Sequence, residues 1–453
     1  ALTGRFAVAN RLQITANQVY PTTFSDFTVS AGGSVQIHSC ESPSAVLSAA
    51  GRLTIDAPVI NQSGVLKAPF GEINLQASQS ITLSENSVTS VSGENQRVLF
   101  GQTQLDGLDW FYEINGKKVI FNDISVPQKK VELNAPVVAL EEGSTVDLSG
   151  GGELLAYEFV PGPGGSRDTL SIDNANGAFA VILGFAGDYN PEDLSLSAGE
   201  GIQAGDRIQL ADPAAGLPAG EYTILPARYA LLDNAYLITP SSDSAIPGRI
   251  VKRADGASII AGRFSVANTP IRDSLWSGFV VEAGSVAGTR SEYRINSAND
   301  YFTQLALSTD NQIPLLPRDA GALVLQATDS LLLQGEIIAE NSGIGRGAQV
   351  DILASKLAVV DQAGGSAIGF VEIEADQLNR LNIESLLLGG ARSDTELGTK
   401  IDVVSDEVLF VSGADVTAPD IMVVAKNSVT VEQGVTLTGT GDLTNYFGAA
   451  GQL

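Results

Sequence analysis

His38 and Cys40 are the sole histidine and sole cysteine of this 453-residue chain, and they stand two apart in the run H-S-C. Strand alternation puts both on one face, opposite Ile37. A thiol–imidazole dyad needs a third orienting group and an oxyanion pocket, and a zinc site needs three or four ligands. With no second His or Cys in the sequence, neither set is completed and the pair reads as structural. A single cysteine also excludes an internal disulfide framework.

Carboxylates are the next candidates, because Asp and Glu number 52 against 26 Lys and Arg. Paired acids would suit glycoside hydrolysis. The local clusters are Asp106 with Asp109, Glu141-Glu142, and Asp188 with Glu192-Asp193. On so acidic a chain these read as solvated turns, and no spacing isolates two acids with an Arg or Lys as a catalytic set. The calcium nonapeptide G-G-x-G-x-D does not recur, and GDYNPED (187–193) lacks the spacing of an EF-hand loop. The glycines at 150–152 and 162–165 precede neither Gly-Lys-Ser/Thr nor a helix, so they read as turns rather than phosphate cradles. No catalytic residue, metal or cofactor is assigned, and the chain does not read as an enzyme.

Aromatic side chains gather in two segments. Trp110, Phe111 and Tyr112 lie in the first; Tyr157, Phe159, Tyr229 and Tyr236 lie in the second. Trp110, Tyr112, Tyr157, Tyr229 and Tyr236 are the candidates for stacking on sugar rings or a partner protein. Their alternative role is a small core that holds each segment in place.

The formal charge of −26 leaves no basic face to displace counterions from phosphate, which argues against nucleic acid. It argues equally against anionic lipid and heparin-like polymers. No apolar run approaches the ~20 residues of a membrane span. The chain opens on strand-like sequence without a signal peptide, so it reads as cytoplasmic or as a processed or excised piece of something longer. Scarcity of cysteine suits a protein that crosses an envelope unfolded.

The elements that carry these residues are short strands. GEINLQASQSITL, from Gly71 to Leu83, returns 250 residues later as GALVLQATDSLLL, from Gly321 to Leu333. IMVVAKNSVTV (421–431) is apolar at the matching positions. Weaker copies begin at Leu53, Val131, Val371, Leu381 and Ile401. GSVQI, GRLTI and GEINL start 18 and 20 residues apart, and the runs at 381, 401 and 421 are spaced by 20. Alternating apolar residues give a strand with one buried face. A small Ala or Ser then permits a corner, and Gly, Asn or Asp turns the chain. A unit of this length cannot bury its own face, but stacked units share one core. Helical periodicity is not found over any long window.

The rhythm breaks twice. Ser92 to Lys130 holds an aromatic cluster and an N-G-K-K hairpin turn. Gly150 to Arg249 is rich in Gly, Pro and aromatics. GRFAVAN at Gly4 and GRFSVAN at Gly262 read as equivalent entries into the repeat. The expected fold is all-β, a right-handed parallel β-helix (β-solenoid) with β-rich excursions. Coils occupy 1–91, 131–149 and 250–453; an aromatic hairpin excursion occupies 92–130 and an inserted β-rich subdomain 150–249. About 300 coil residues at roughly 20–25 per coil predict on the order of 13 coils, or ~60 Å of rod.

The excursions also carry a resemblance. STVDLSGGGELLAYEFVPGPGGSRD (144–168), EYTILPARYALLDNAYLITP (221–240), VLFGQ with LDWFYEINGKK, GRFSVANTPIRD and ESLLLGGAR (384–392) are similar, in order, to blocks of filamentous haemagglutinin-like exoproteins of two-partner secretion. That resemblance implies a bacterial surface adhesin. Such a protein crosses the outer membrane unfolded through a β-barrel secretion partner and folds outside. It attaches to cells, exopolysaccharide, or a host glycan or protein receptor, and supports biofilm cohesion. The family's amino-terminal secretion domain is not evident, so the chain resembles an internal or carboxy-proximal shaft segment. The alternatives are a β-helical polysaccharide-degrading enzyme and a self-assembling extracellular filament subunit.

Overall fold

The computed structural model describes residues 1–441 except 94–95, 115, 122–125, 172–173, 192, 194–201, 204, 244, 341–342, 344, 366 and 396–397. The fold is all-β with several sheets, of which the largest is parallel. Its path runs through Leu2–Val8, Ser25–Ala31, Arg52–Ser63, Glu72–Leu83, Lys130–Leu140, Ala322–Leu333, Gln349–Leu353, Ser385–Leu388 and Asp420–Val423. Every neighbouring pair on that path is parallel, and the three pairings among Arg52–Ser63, Glu72–Leu83, Lys130–Leu140 and Ala322–Leu333 each carry a register shift midway.

The pattern of Glu72–Leu83 shows why. Ile73, Leu75, Ile81 and Leu83 are fully buried, whereas Asn74 and Gln76 face outward. A one-residue register shift follows Ala57 opposite Ala77, where a small side chain lets the ladder bend. Short parallel strands follow each such pass. Val65–Lys67, Val88–Ser90, Thr145–Asp147 and Glu336–Ile338 form one side ladder. Val371–Glu374, Lys356–Val360, Glu407–Phe410 and Ser428–Val431 form another. One apolar cluster fills the space between them, from Val29 through Leu75, Leu133, Val146, Leu325 and Ile352 to Phe410.

The two matching segments have a simple relation. Leu133 pairs with Leu75 on one side and with Leu325 on the other. Segments 250 residues apart in sequence therefore flank the same strand, about 10 Å apart at ~4.8 Å per strand.

Several expectations are corrected. The two excursions are not separate, because Arg97–Gln104 of the first pairs in parallel with Glu153–Phe159 of the second. They share a five-stranded sheet that continues through Asp109–Ile114 to Lys117–Phe121 and, on the other side, to Tyr293–Ser297. The hairpin pairs Ile114 with Lys117; Asn115 of the expected turn lies outside the described residues.

The inserted region is also longer than 150–249. The GRFSV of GRFSVAN ends the strand Ser258–Val266, which pairs antiparallel within an eight-stranded sheet, so it is not an entry into the repeat. The ladder resumes only at Ala322, and residues 250–321 are not coils. A helix, Ala298–Thr309, precedes that return. Ser297 caps it by accepting from the Asp300 amide, and Ala298, Phe302 and Ala306 bury one face. Its period was hidden because the stripe spans barely two turns.

The 20-residue spacing at 381, 401 and 421 is coincidental. Residues 381–384 form no strand, and Ile401 lies in the antiparallel hairpin Gly390–Thr395/Gly398–Val403. With 150–321 outside the ladder, the nine-strand path spans about 38 Å rather than ~60 Å.

Candidate functional site

A cleft of about 520 Å³ runs over the outer face of the main sheet at the strand starts. Its local origin is a repeated corner. Phe24, Ala50 and Phe70 adopt left-handed backbone conformations, with φ of 49°, 56° and 53°, which non-glycine residues seldom occupy. Interstrand hydrogen bonds hold them there: Phe24 N donates to Ala49 O, Ala50 N to Pro69 O and Phe70 N to Val91 O, at 2.9–3.1 Å. Glycine is required beside them, since a Cβ on Gly71 would lie 2.1 Å from the Gly51 carbonyl oxygen.

Two residues beyond each corner, a charged side chain opens the strand. Register aligns Asp26, Arg52, Glu72, Lys130, Ala322 and Gln349 into one row across six strands. Arg52 makes a forked contact with Glu72, Nε and Nη2 donating at 2.9 and 2.8 Å, and its Nη1 lies 3.5 Å from Asp26. Lys130 donates to Glu132 at 2.9 Å.

At the far end the hairpin strand Gly390–Thr395 lowers Arg392 onto the sheet. Its Nη1 lies 2.8 Å from Asp351 Oδ1, and its amide donates to Asp351 Oδ2 at 2.7 Å. Nη2 donates to Ser385 Oγ, which in turn donates to Asp420. Burial pushes the Asp351 carboxyl above the usual carboxylate range, against the pull of Arg392, and lowers Arg392 in the same way.

This arrangement is poorly suited to acid–base hydrolysis. Asp26 and Glu72 lie two strands apart, roughly 10 Å, but Arg52 is paired to both, where hydrolysis needs substrate oxygen and water. Among the described residues no group of three or more His, Cys, Asp or Glu could hold a metal ion. What the row offers is a dense set of hydrogen-bond donors and acceptors.

The aromatic candidates for ligand contact lie elsewhere, and four are corrected by burial. Trp110, Tyr112, Tyr157 and Tyr229 are at most 1% exposed and present no face to a ligand. Trp110 Nε1 donates to Phe100 O at 3.0 Å, and its ring packs on Tyr301 and Phe302. Tyr112 OH donates to the buried Asp193 at 2.6 Å. Arg228 lies 4.5 Å above the Tyr157 ring and 3.3 Å from Asp168, which also accepts from Tyr293 OH at 2.6 Å. Burial drives the Tyr157 and Tyr229 phenols well above their ordinary range. Tyr236 is half-buried in Ala235–Ser241. Trp110, Tyr112, Tyr157 and Tyr229 belong to one core that joins the hairpin to the insertion, whereas Tyr236 packs on the separate core of the eight-stranded sheet.

A buried lysine marks the seam between ladder and insertion. Lys129 Nζ donates to Pro317 O at 2.7 Å and to Ser149 O at 3.4 Å, so one ammonium spans the exit and return of the insertion. Desolvation lowers its pKa to about 8, opposed by Asp319 and Asp147.

The remaining candidates stay apart. His38 Nδ1 lies 2.8 Å from Ser63 Oγ, while the exposed Cys40 thiol, beyond the strand end, donates to Asn17 Oδ1 at 2.9 Å. Asp106 pairs with Arg294 at 3.3 Å and Asp188 with Arg207 at 3.8 Å. Glu192 lies outside the described residues. The cleft row was missed in the sequence. Its signal is the charged residue opening successive strands, as in GRLTI and GEINL, with the sign alternating.

No protein-family model, curated protein or solved structure matches this chain. No helix among the described residues is long and apolar enough to cross a membrane, a statement that does not bear on β-barrels.

Proposed function

We propose that this chain is a shaft segment of a large secreted bacterial surface adhesin, with the parallel ladders closing as a right-handed β-helix. The observation that carries the reading is the parallel path from Leu2–Val8 to Asp420–Val423 over one apolar cluster. Parallel crossovers in one sheet are right-handed in about 98% of cases, which supports the hand. Stacked units of this kind yield a stiff rod whose stability comes from neighbouring passes. Those are the properties that projecting a surface from a cell requires.

In this reading the protein is secreted, crosses the outer membrane through a β-barrel partner, and works by attachment rather than catalysis. The resemblance of the excursion blocks to filamentous haemagglutinin-like exoproteins supports the same assignment, including biofilm cohesion. The test is display of residues 1–453 on a non-adherent bacterium, with attachment to glass and to cell monolayers measured. Severalfold higher attachment than the undisplayed parent is expected. Depolymerisation of a polysaccharide without attachment would overturn the reading in favour of a β-helical enzyme.

A further inference from the structure

The cleft over the strand starts has more structure than a shaft needs. Six residues from six consecutive strands form its row, so the floor is roughly 24 Å long at ~4.8 Å per strand. Asp26, Glu72 and Asp351 are balanced there by Arg52, Lys130 and Arg392, three acids against three bases. The chain as a whole carries −26. The cleft is therefore a charge-neutral strip on a strongly acidic molecule.

The geometry points to this cleft as a binding groove for an extended, uncharged, hydroxyl-rich polymer, a neutral polysaccharide strand. Each sugar hydroxyl both donates and accepts. The row supplies both functions in alternation: carboxylate oxygens of Asp26 and Glu72 accept, and Arg52, Lys130 and the Gln349 amide donate. Lys130 and Glu72 are 29% and 25% exposed at their side chains, so they are fixed by neighbours yet open to a ligand.

A polyanion would meet the field of the whole chain and find the cleft's cations already paired. A polycation would have to displace Arg52 from its forked contact. A neutral chain needs neither. Of the lining phenylalanines, Phe70 and Phe121 are buried and only the half-buried Phe24 offers an apolar surface to the cleft, which suits the C–H face of one sugar ring. The row has one residue per strand, so its pitch is the ~4.8 Å strand spacing and an extended ligand lying along it crosses the strands.

This assignment takes from the shaft reading only that the protein meets glycans outside the cell. Its test is a glycan array carrying neutral and acidic linear oligosaccharides, probed with the full chain and three variants. Ala322→Trp places an indole on the floor without altering charge. Glu72→Gln and Gln349→Ala change one polar group each.

Thermal melts confirm folding of every variant. Neutral linear glycans are expected among the strongest signals, at least tenfold weaker with Ala322→Trp and severalfold weaker with Glu72→Gln and Gln349→Ala. The absence of neutral hits would overturn the assignment, as would dominance by acidic glycans or hits unchanged in all three folded variants. Attachment by displayed cells without neutral hits would overturn the groove and leave the shaft reading standing. Neutral hits without attachment would do the reverse.

Discussion

The ladder and the insertion are built from similar residues by different rules. In the ladder, apolar side chains line up in rows, Leu75 with Leu133 with Leu325, while the buried ion pair of Asp351 with Arg392 lies at the cleft rather than in those rows. In the insertion, antiparallel strands enclose rings whose hydroxyls and faces engage buried charges, as with Tyr112 on Asp193 and Tyr157 beneath Arg228. Repetition makes the first core tolerant of long interruption, since each pass needs only its two neighbours. The second core depends on specific polar partners from residues far apart in sequence, such as Arg228 and Asp168, and is correspondingly exacting.

The sharpest way to break this contrast is to truncate one core at a time. Leu133→Ala should cost about 2–5 kcal/mol, and Phe279→Ala, buried on Ser277–Ala283 in the core of the insertion's eight-stranded sheet, about 3–5 kcal/mol. Hydrogen exchange should then show Leu133→Ala loosening strands on both sides of Lys130–Leu140. Phe279→Ala should loosen the eight-stranded sheet while the ladder stays protected. Uniform loosening by both would erase the distinction.

The seam gives a pH dependence with a definite sign. Lys129 titrates at about 8 in the folded protein and near ~10.4 in an unfolded chain. Between those values the unfolded state binds more protons, so stability rises with pH, by at most roughly 3 kcal/mol. Tyr157 and Tyr229 act oppositely, because their folded pKa values are raised. Above pH ~10 the unfolded state loses phenolic protons that the folded state keeps, and stability falls. Denaturant midpoints should climb from pH 8 to about 10 and then drop; Lys129→Met should flatten the climb and leave the drop.

Smaller effects separate buried from exposed polar contacts. Tyr112→Phe removes a hydrogen bond to a buried carboxylate and should cost about 1.5–3 kcal/mol in urea titrations. Arg52→Gln disrupts ion pairs that are half-exposed and should cost below about 1 kcal/mol. A larger loss there would mean that the cleft row holds the ladder together.

The ladder was legible because its signal is local and repeated. Leu75, Ile81 and Leu83 are fully buried, and Ala77 packs at the corner, as alternation and small-residue corners predict. The limits were equally physical. The run at Ile401 has the right alternation but pairs only within its own hairpin, and pairing partners are not written in a single strand. The aromatic candidates could not be placed, because Tyr112 is buried by Asp193 and Phe24, both distant in sequence. The cleft required both register and corner geometry, and only the first has a spacing that can be read.

The central claim is that Glu72–Leu83 and Ala322–Leu333 flank one strand despite the chain between them. Paired cysteines in a Cys40→Ser background test it directly, using outward residues in register: Asn134 pairs with Gln76 on one side and Gln326 on the other. Neighbouring strands lie within disulfide reach, and strands two apart, at about 10 Å, do not. The expected result is oxidation of Gln76→Cys with Asn134→Cys and of Asn134→Cys with Gln326→Cys, and none of Gln76→Cys with Gln326→Cys. Failure of the Asn134–Gln326 pair, or ready oxidation of the Gln76–Gln326 pair, would contradict the ladder.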